Sequence, residues 1–262
     1  MKFIFSALVL FSFSLFAARP DTPLQDVGVR PSPFEVFGLN QFPRNIFQAV
    51  KKYLPTFPVI VNAGAFDGKD SGLMAHFWLG GHIHSFEPVT ELYQTLAEHT
   101  AKFPNISTYH VALGDHCGPQ SIYLARHASD RDHVCQSSSL YPPKEHLKWD
   151  PDTKFGWTEI VDVTTLDQWA QEQGVEKVDF LWLDMQGYEL PMMKASPKIL
   201  SRVSAIFTEL EFVEAYEGQP LYQEVRQWLE DQGFALIGGT FDFHDNDAWF
   251  ADGLFVRRTL LQ

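Results

Sequence analysis

The sequence predicts an α/β protein: a mostly parallel sheet with helices on both faces and an antiparallel hairpin at its C-terminal end. Three observations carry this. Apolar runs of strand length alternate with segments of helical periodicity, the order that yields parallel strands joined by crossovers. One such run, 59–61, opens into Asn62-Ala63-Gly64-Ala65-Phe66-Asp67-Gly68, a turn of small residues ahead of a helical pattern. The alternation ends only at 234–237 and 254–257, which read as two strands separated by an acidic, aromatic loop.

Taken in order, residues 1–18 pair Met1-Lys2 with an apolar run and a small-residue end. This reads as a signal peptide, so the expected location is exported, periplasmic or secreted. An uncleaved membrane anchor is the alternative, because Leu15 or Phe16 stands where a small residue is usual at a cleavage site. Residues 19–44 are rich in proline and polar residues and read as a linker, leaving 45–262 as one domain. Within it, 45–54 puts Ile46, Phe47, Val50 and Leu54 on one helix face. The strand at 59–61, its turn, a helix bearing Leu73, Phe77 and Trp78, and a strand at 82–86 closed by Glu87-Pro88 make a βαβ unit. Such a unit can bind a nucleotide at the helix N-terminus and hold ribose with the later acid, although a purely structural glycine turn has the same appearance. A helix at 89–102 and a strand at 106–112 follow, the latter ending in Leu113-Gly114-Asp115.

Residues 118–157 break the pattern: one short strand at 121–124, then polar, histidine-bearing sequence with Pro142-Pro143. The expectation is an irregular insertion, either disordered or part of a substrate lid. Regularity resumes with strands at 159–163, 178–183 and 204–210 and helices at 165–173, 188–195 and 220–232, with Gly233 as a helix stop.

A formal charge of −13 over 262 residues, without a basic run, argues against a nucleic-acid partner. Cys117 and Cys135 are open to two readings, a loop-closing disulfide in an oxidising compartment or two free thiols; their spacing fits no zinc pattern.

In a parallel sheet, ligands bind beyond the carboxyl ends of the strands. Four strands here end in candidate groups: Asn62 with its glycine turn, Glu87, Asp115 and Asp184. Together they suit a ligand with an amino group, a ribose diol and an adenine amine. The motifs VNAGAFDG, FEP, VALGD, SSSLYPP, TTLDQW, VDFLWLDMQGYELPMMKAS, IFTELEF and DGLFVRR occur in that order over roughly 59–258. In them the chain resembles the FkbM-like methyltransferases. The resemblance implies a Rossmann-like, seven-stranded sheet of the class I methyltransferase type, S-adenosylmethionine as cofactor, and O-methylation of a small-molecule, glycan or lipid acceptor. It implies that Gly64, Asp67 and Gly68 form the cofactor turn, that Glu87 takes the ribose hydroxyls, and that Leu113 and Asp115 sit at the adenine. Asp184 would face methionine or acceptor, and Glu189 matches a glutamate that acts in the site or braces its helix. The chain departs from the pattern at Asn62 (usually aspartate), Trp182 (commonly lysine) and Gln186 (commonly glutamate).

Methyl transfer to an unactivated hydroxyl needs alignment and a proton acceptor. Asp184 is the first candidate for that acceptor, with Glu189 and His244 as further catalytic candidates. His82 and His84 share a strand face, which suits packing better than a metal pair. The departures, together with a cofactor made in the cytosol, leave a second reading: an exported, non-catalytic module binding a glycan or protein. A nicotinamide enzyme is disfavoured, since the turn lacks G-x-G-x-x-G spacing.

Overall fold

A computed structural model describes residues 35–36, 42–240 and 249–261. The expected leader at 1–18, nearly all of the linker and His244 lie outside the described residues. Among the described residues no helix is long and apolar enough to cross a membrane.

The main sheet contains β1 (Glu35–Val36), β2 (Val59–Ala63), β3 (His82–Phe86), β4 (Ile106–Tyr109), β8 (Phe180–Leu183), β9 (Ala205–Glu211), β10 (Phe234–Gly239) and β11 (Phe250–Arg257). Their spatial order is β1-β10-β11-β9-β8-β2-β3-β4. Apart from the two-residue edge strand β1, this is the expected seven-stranded sheet. β11 runs antiparallel to both of its neighbours, and the pairs β2–β3, β3–β4, β2–β8 and β8–β9 are parallel. The chain steps outward from β2 through β3 to β4, then returns to the other side of β2 as β8. The topological switch therefore falls between β2 and β8, where Ala63 pairs with Leu183.

Period-two alternation sorts the side chains of each strand between two cores. Val61, Ala63, Leu181 and Leu183 face α5 (Leu166–Gln173), α6 (Glu189–Lys194), α7 (Pro197–Leu200) and α8 (Tyr222–Asp231). Ile60, Phe180 and Trp182 face α1 (Arg44–Lys51) and α2 (Lys69–Phe77). Trp182 is thus a core residue: it is 4% exposed, 4.3 Å from the Phe207 ring and 5.6 Å from that of Phe47.

Local signals place the helix ends. Thr165 Oγ1 accepts the Gln168 N–H to cap α5, and Gly174 closes it in the left-handed region. Asp167 accepts the Lys198 and Ile199 N–H groups at the start of α7, so it supports the next helix as well as its own first turn.

Two expectations are corrected. The strand predicted at 106–112 is two strands: β4 belongs to the main sheet, and β5 (Ala112–Leu113) joins a second sheet of order β5-β7-β6. The insertion is not irregular throughout. It is framed by a long antiparallel hairpin, β6 (Gly118–His127) with β7 (Thr153–Thr164), paired from Gly118↔Val163 to His127↔Thr153. The sequence shows only the segments 121–124 and 159–163 as strands; their full length and their pairing escape detection because one face is open to water, while Ile122, Leu124, Val161 and Val163 fill the other. That apolar face packs with Val134, Leu140 and Tyr188, against which Phe66, Tyr141 and Met185 lie, so a third core joins the hairpin to the glycine turn after β2 and the loop after β8. Between the strands, α4 (His146–Trp149) is the one regular helix among the described residues. Cys117 and Cys135 are free thiols in this arrangement.

Candidate active site

The glycine turn after β2 is shaped by contact with the end of β8. Gly64 has φ +78°, and a Cβ there would lie 1.7 Å from the Asp184 carbonyl oxygen. The Asp184 N–H donates to Ala63 O at 3.0 Å, so the two strand ends touch through backbone alone. Phe66 takes the left-handed conformation at φ +49°, rare for a residue with a side chain, and Gly68 at φ +80° opens α2. Asp67 accepts the Lys69 N–H at 3.1 Å and pairs with the Lys69 ammonium at 2.5 Å. Asn62 is only 1% exposed. Its amide donates to Ser71 Oγ at 2.9 Å, and Ser71 in turn bonds Ser85, so Asn62 ties β2 to α2 and β3.

Glu87 is buried directly beside the turn. Its Oε2 accepts the Phe66 N–H at 3.0 Å and its Oε1 the Val89 N–H at 2.9 Å. Burial pushes its carboxyl up to about 7, against the pull of those two bonds. Asp115 accepts from the Tyr188 hydroxyl at 3.0 Å and from His116 Nδ1 at 2.8 Å. Partial burial pushes Asp115 up, and the His116 and Tyr188 hydrogen bonds outweigh it, leaving the carboxyl below its usual range. Leu113 is 2% exposed and packs into the core under α5 and α6.

Asp184 is enclosed by protein yet keeps an exposed side chain, which sets it on the floor of a cleft. Burial holds its carboxyl above the usual range, and the Gln186 hydrogen bond pulls the other way. Glu189 has a different setting: 5% exposed, it accepts the Met185 N–H at 2.6 Å and so braces the loop that carries Asp184. Burial raises it to about 7.

The structure gathers acids that sequence reasoning left unassigned. Glu209 and Glu211 on β9 and Asp252 on β11 crowd the same strand ends, with Asp70 on α2. Each is raised, first by burial, and among the described residues no basic group offsets Asp184, Glu209 or Glu211. Glu209, Glu211 and Asp252 stand in the IFTELEF and DGLFVRR motifs, but only the pairing of β9 with β11 shows that they meet. Gln186 lies among them at φ +53°, bonded to Asp184, Glu209 and Tyr216. On the insertion side, His146 is 1% exposed between the rings of Trp149, Phe155 and Tyr216.

Four of the other described histidines bond within the scaffold. His82 bonds Ser107, and His84 bonds Tyr109 and packs on Trp169. His127 bonds Ser129, and His133 pairs with Glu91.

The methyltransferase FkbM domain matches residues 62–236 of this chain. The chain is 28% identical over 162 residues to the 2-O-methyltransferase NoeI of Sinorhizobium fredii, covering 62% of this chain and 67% of that protein. It is 26% identical over 206 residues to the methyltransferase sdnD of Sordaria araneosa, covering 70% and 76%. Among solved structures, Aeropyrum pernix fibrillarin with natively bound S-adenosyl-L-methionine superposes with a TM-score of 0.46 at 13% identity, covering 81% of this chain and 74% of that one. That superposition is too loose to add to what the strand order shows directly. With the domain match spanning the glycine turn, Glu87, Asp115, Asp184 and β9, the chain belongs to the FkbM family of S-adenosylmethionine-dependent methyltransferases.

Proposed function

We propose that this methyltransferase acts on a hydroxyl oxygen of a sugar-like, lipid or other small acceptor, with Asp184 taking the hydroxyl proton. The observation that carries this is the meeting of Gly64 and Asp184 at the topological switch, with the Asp184 carboxylate open on the cleft floor. The resemblance to a 2-O-methyltransferase supports an oxygen acceptor, and a sugar first among the classes to test.

The residues fit the family's cofactor on the chemistry of their donors and acceptors. When bound, S-adenosylmethionine supplies a methyl group on a cationic sulfur that leaves as a neutral thioether. Glu87 keeps a lone pair on each oxygen beyond its two backbone bonds, enough for a ribose diol. Asp115 borders the adenine side with Leu113 packed in the core behind it, and the tight turn from Gly64 to Gly68 lies between Glu87 and Asp184. The uncompensated acids around Asp184 favour a cation at that end of the cleft. Asp184 accepts the proton from the acceptor oxygen as the new C–O bond forms, and alignment of the two reactants supplies much of the rest.

The departures that suggested a non-catalytic module each have another account. Asn62 ties secondary-structure elements together, Trp182 fills a core, and Gln186 bridges acids. Export through the segment 1–18, or anchoring by it, is part of the same proposal; its check is the N-terminal residue of the mature protein, which would be Met1 if the segment is retained.

Calorimetric titration with S-adenosylmethionine and S-adenosylhomocysteine tests the pocket. Glu87→Ala is expected to weaken both by about tenfold or more through the lost ribose bonds, and unchanged affinity would place the cofactor elsewhere. Transfer of labelled methyl to a set of methyl pyranosides tests the acceptor class. Asp184→Asn is expected to bind cofactor while losing on the order of 10²-fold or more in kcat; an active Asp184→Asn would remove Asp184 from the proton-accepting role.

A further inference from the structure

Gln186 stands where the family commonly has glutamate, and its surroundings give the amide a task that a carboxylate could not perform. Its Nε2 donates to Asp184 Oδ1 at 2.7 Å and to Glu209 Oε2 at 3.1 Å. Its Oε1 accepts from the Tyr216 hydroxyl at 2.8 Å. A primary amide offers two N–H donors, and both meet acids while its oxygen meets a donor. Turning the amide over would set its oxygen against two carboxyl groups, so its orientation is fixed by chemistry. The backbone is held as firmly. Gln186 has φ +53°, Gly187 follows at φ +96°, and Ser139 Oγ donates to the Gln186 carbonyl at 2.8 Å. The single proton of the Tyr216 hydroxyl is shared between Gln186 Oε1 and Ser137 O, which lies 2.9 Å away. Ser137 and Ser139 belong to the insertion, whereas Asp184 and Glu209 end adjacent parallel strands.

We propose that Gln186 is the positioning residue of the transfer: its amide locks Asp184 and Glu209 into one bridged pair on the cleft floor, and Tyr216 and Ser139 make that lock depend on the insertion. This rests on Asp184 as proton acceptor. Two carboxyl groups sharing one amide titrate as a unit, and burial holds both above the ordinary carboxylate range. The groups facing Asp184 from elsewhere are also acids: Asp70 from α2, Glu87 after β3, Glu189 from α6, Glu211 from β9 and Asp252 from β11. The Gln186 amide is the donor that keeps Asp184 ionisable among them. During transfer the acceptor's proton passes to Asp184, with no change of oxidation state in the pair.

The test uses the full chain with Gln186→Glu and Tyr216→Phe. Gln186→Glu keeps the shape, removes the donor and adds a third acid. In Gln186→Glu the acid limb of the kcat–pH profile, measured with whichever methyl pyranoside is methylated, is expected to move up by about one pH unit or more. Its kcat near pH 7 should fall about tenfold, with S-adenosylmethionine affinity within about threefold of wild type. Tyr216→Phe should move the limb the same way by less. A second readout needs no acceptor: protons released on binding S-adenosylmethionine, in excess of those released by neutral S-adenosylhomocysteine, from calorimetry in buffers of different ionisation enthalpy. Gln186→Glu should enlarge that excess. A limb and a proton excess both at wild-type values in Gln186→Glu would overturn the proposal, as would a uniform loss of kcat with an unmoved limb. If Gln186→Glu does not fold, Tyr216→Phe decides by the same two readouts. An inactive Asp184→Asn beside a normal Gln186→Glu defeats only the positioning role, whereas an active Asp184→Asn defeats the reading beneath it.

Discussion

At the scale of single residues, the most constrained position is Gly64. Its φ of +78° alone would cost alanine about 1 kcal/mol, but the missing Cβ matters more, because 1.7 Å from a backbone carbonyl leaves no room for any side chain. Gly174 is the internal control: it also has positive φ, at +67°, with nothing within 4 Å of an added Cβ. Gly64→Ala is therefore expected to lose about 3 kcal/mol or more, and Gly174→Ala about 1 kcal/mol, by urea unfolding. Equal losses would mean that the ends of β2 and β8 can part. Asn62 shows the limit of reading a residue by its neighbours in sequence. Its position marks the start of a ligand turn, yet its partner is Ser71 on the helix behind the sheet.

At the scale of elements, Trp182 decides how β8 is held. It closes an aromatic group with Phe47 on α1 and Phe207 on β9. Trp182→Ala should cost about 3–5 kcal/mol, measured as a lowered denaturant midpoint with an unchanged slope; a loss below about 1 kcal/mol would show that the site collapses freely. The strands β2 and β8 were legible in the sequence because, buried on both faces, they are short apolar runs, and β3 was legible from its place between a helical pattern and Glu87-Pro88. The helices α5 and α8 were legible from their periodicity and stops. Of the β6–β7 hairpin only the segments 121–124 and 159–163 were legible, because half of its side chains meet water and its bulge between Leu124 and Ala125 interrupts the alternation. The turn, Glu87, Asp115 and Asp184 were also legible, each being an acid or glycine at a strand end. Glu209, Asp252 and the meaning of Gln186 were not. They depend on which strands lie side by side, and Gln186 acquires its role only from Glu209 and Tyr216, far along the chain.

At the scale of the whole molecule, the acids at the strand ends make stability depend on pH. Asp70 is held at about 6, and Glu87, Glu189 and Asp252 at about 7, from ordinary values of 3.8 for aspartate and 4.5 for glutamate. A proton bound more tightly in the folded state stabilises it. That contribution is full below the ordinary values and is lost as pH rises through the folded ones. The Tm of cofactor-free protein should therefore fall between pH ~5 and pH ~8, and the rise in Tm given by S-adenosylmethionine should grow over the same range. A cofactor-free Tm that climbs toward pH ~8 would contradict the burial of these groups. The third core, in which the β6–β7 hairpin shares Phe66, Met185 and Tyr188 with the cofactor turn and the Asp184 loop, bears on how such a protein can diverge. An insertion that merely covered the cleft could be exchanged between relatives to bring a new acceptor preference with it. Here the exchanged piece would carry part of the packing behind the glycine turn and the Asp184 loop, so under the proposed function acceptor choice and cofactor grip would be inherited as one trait. A chimera made by grafting 118–157 alone should need compensating changes at Phe66, Met185 or Tyr188 before it turns over.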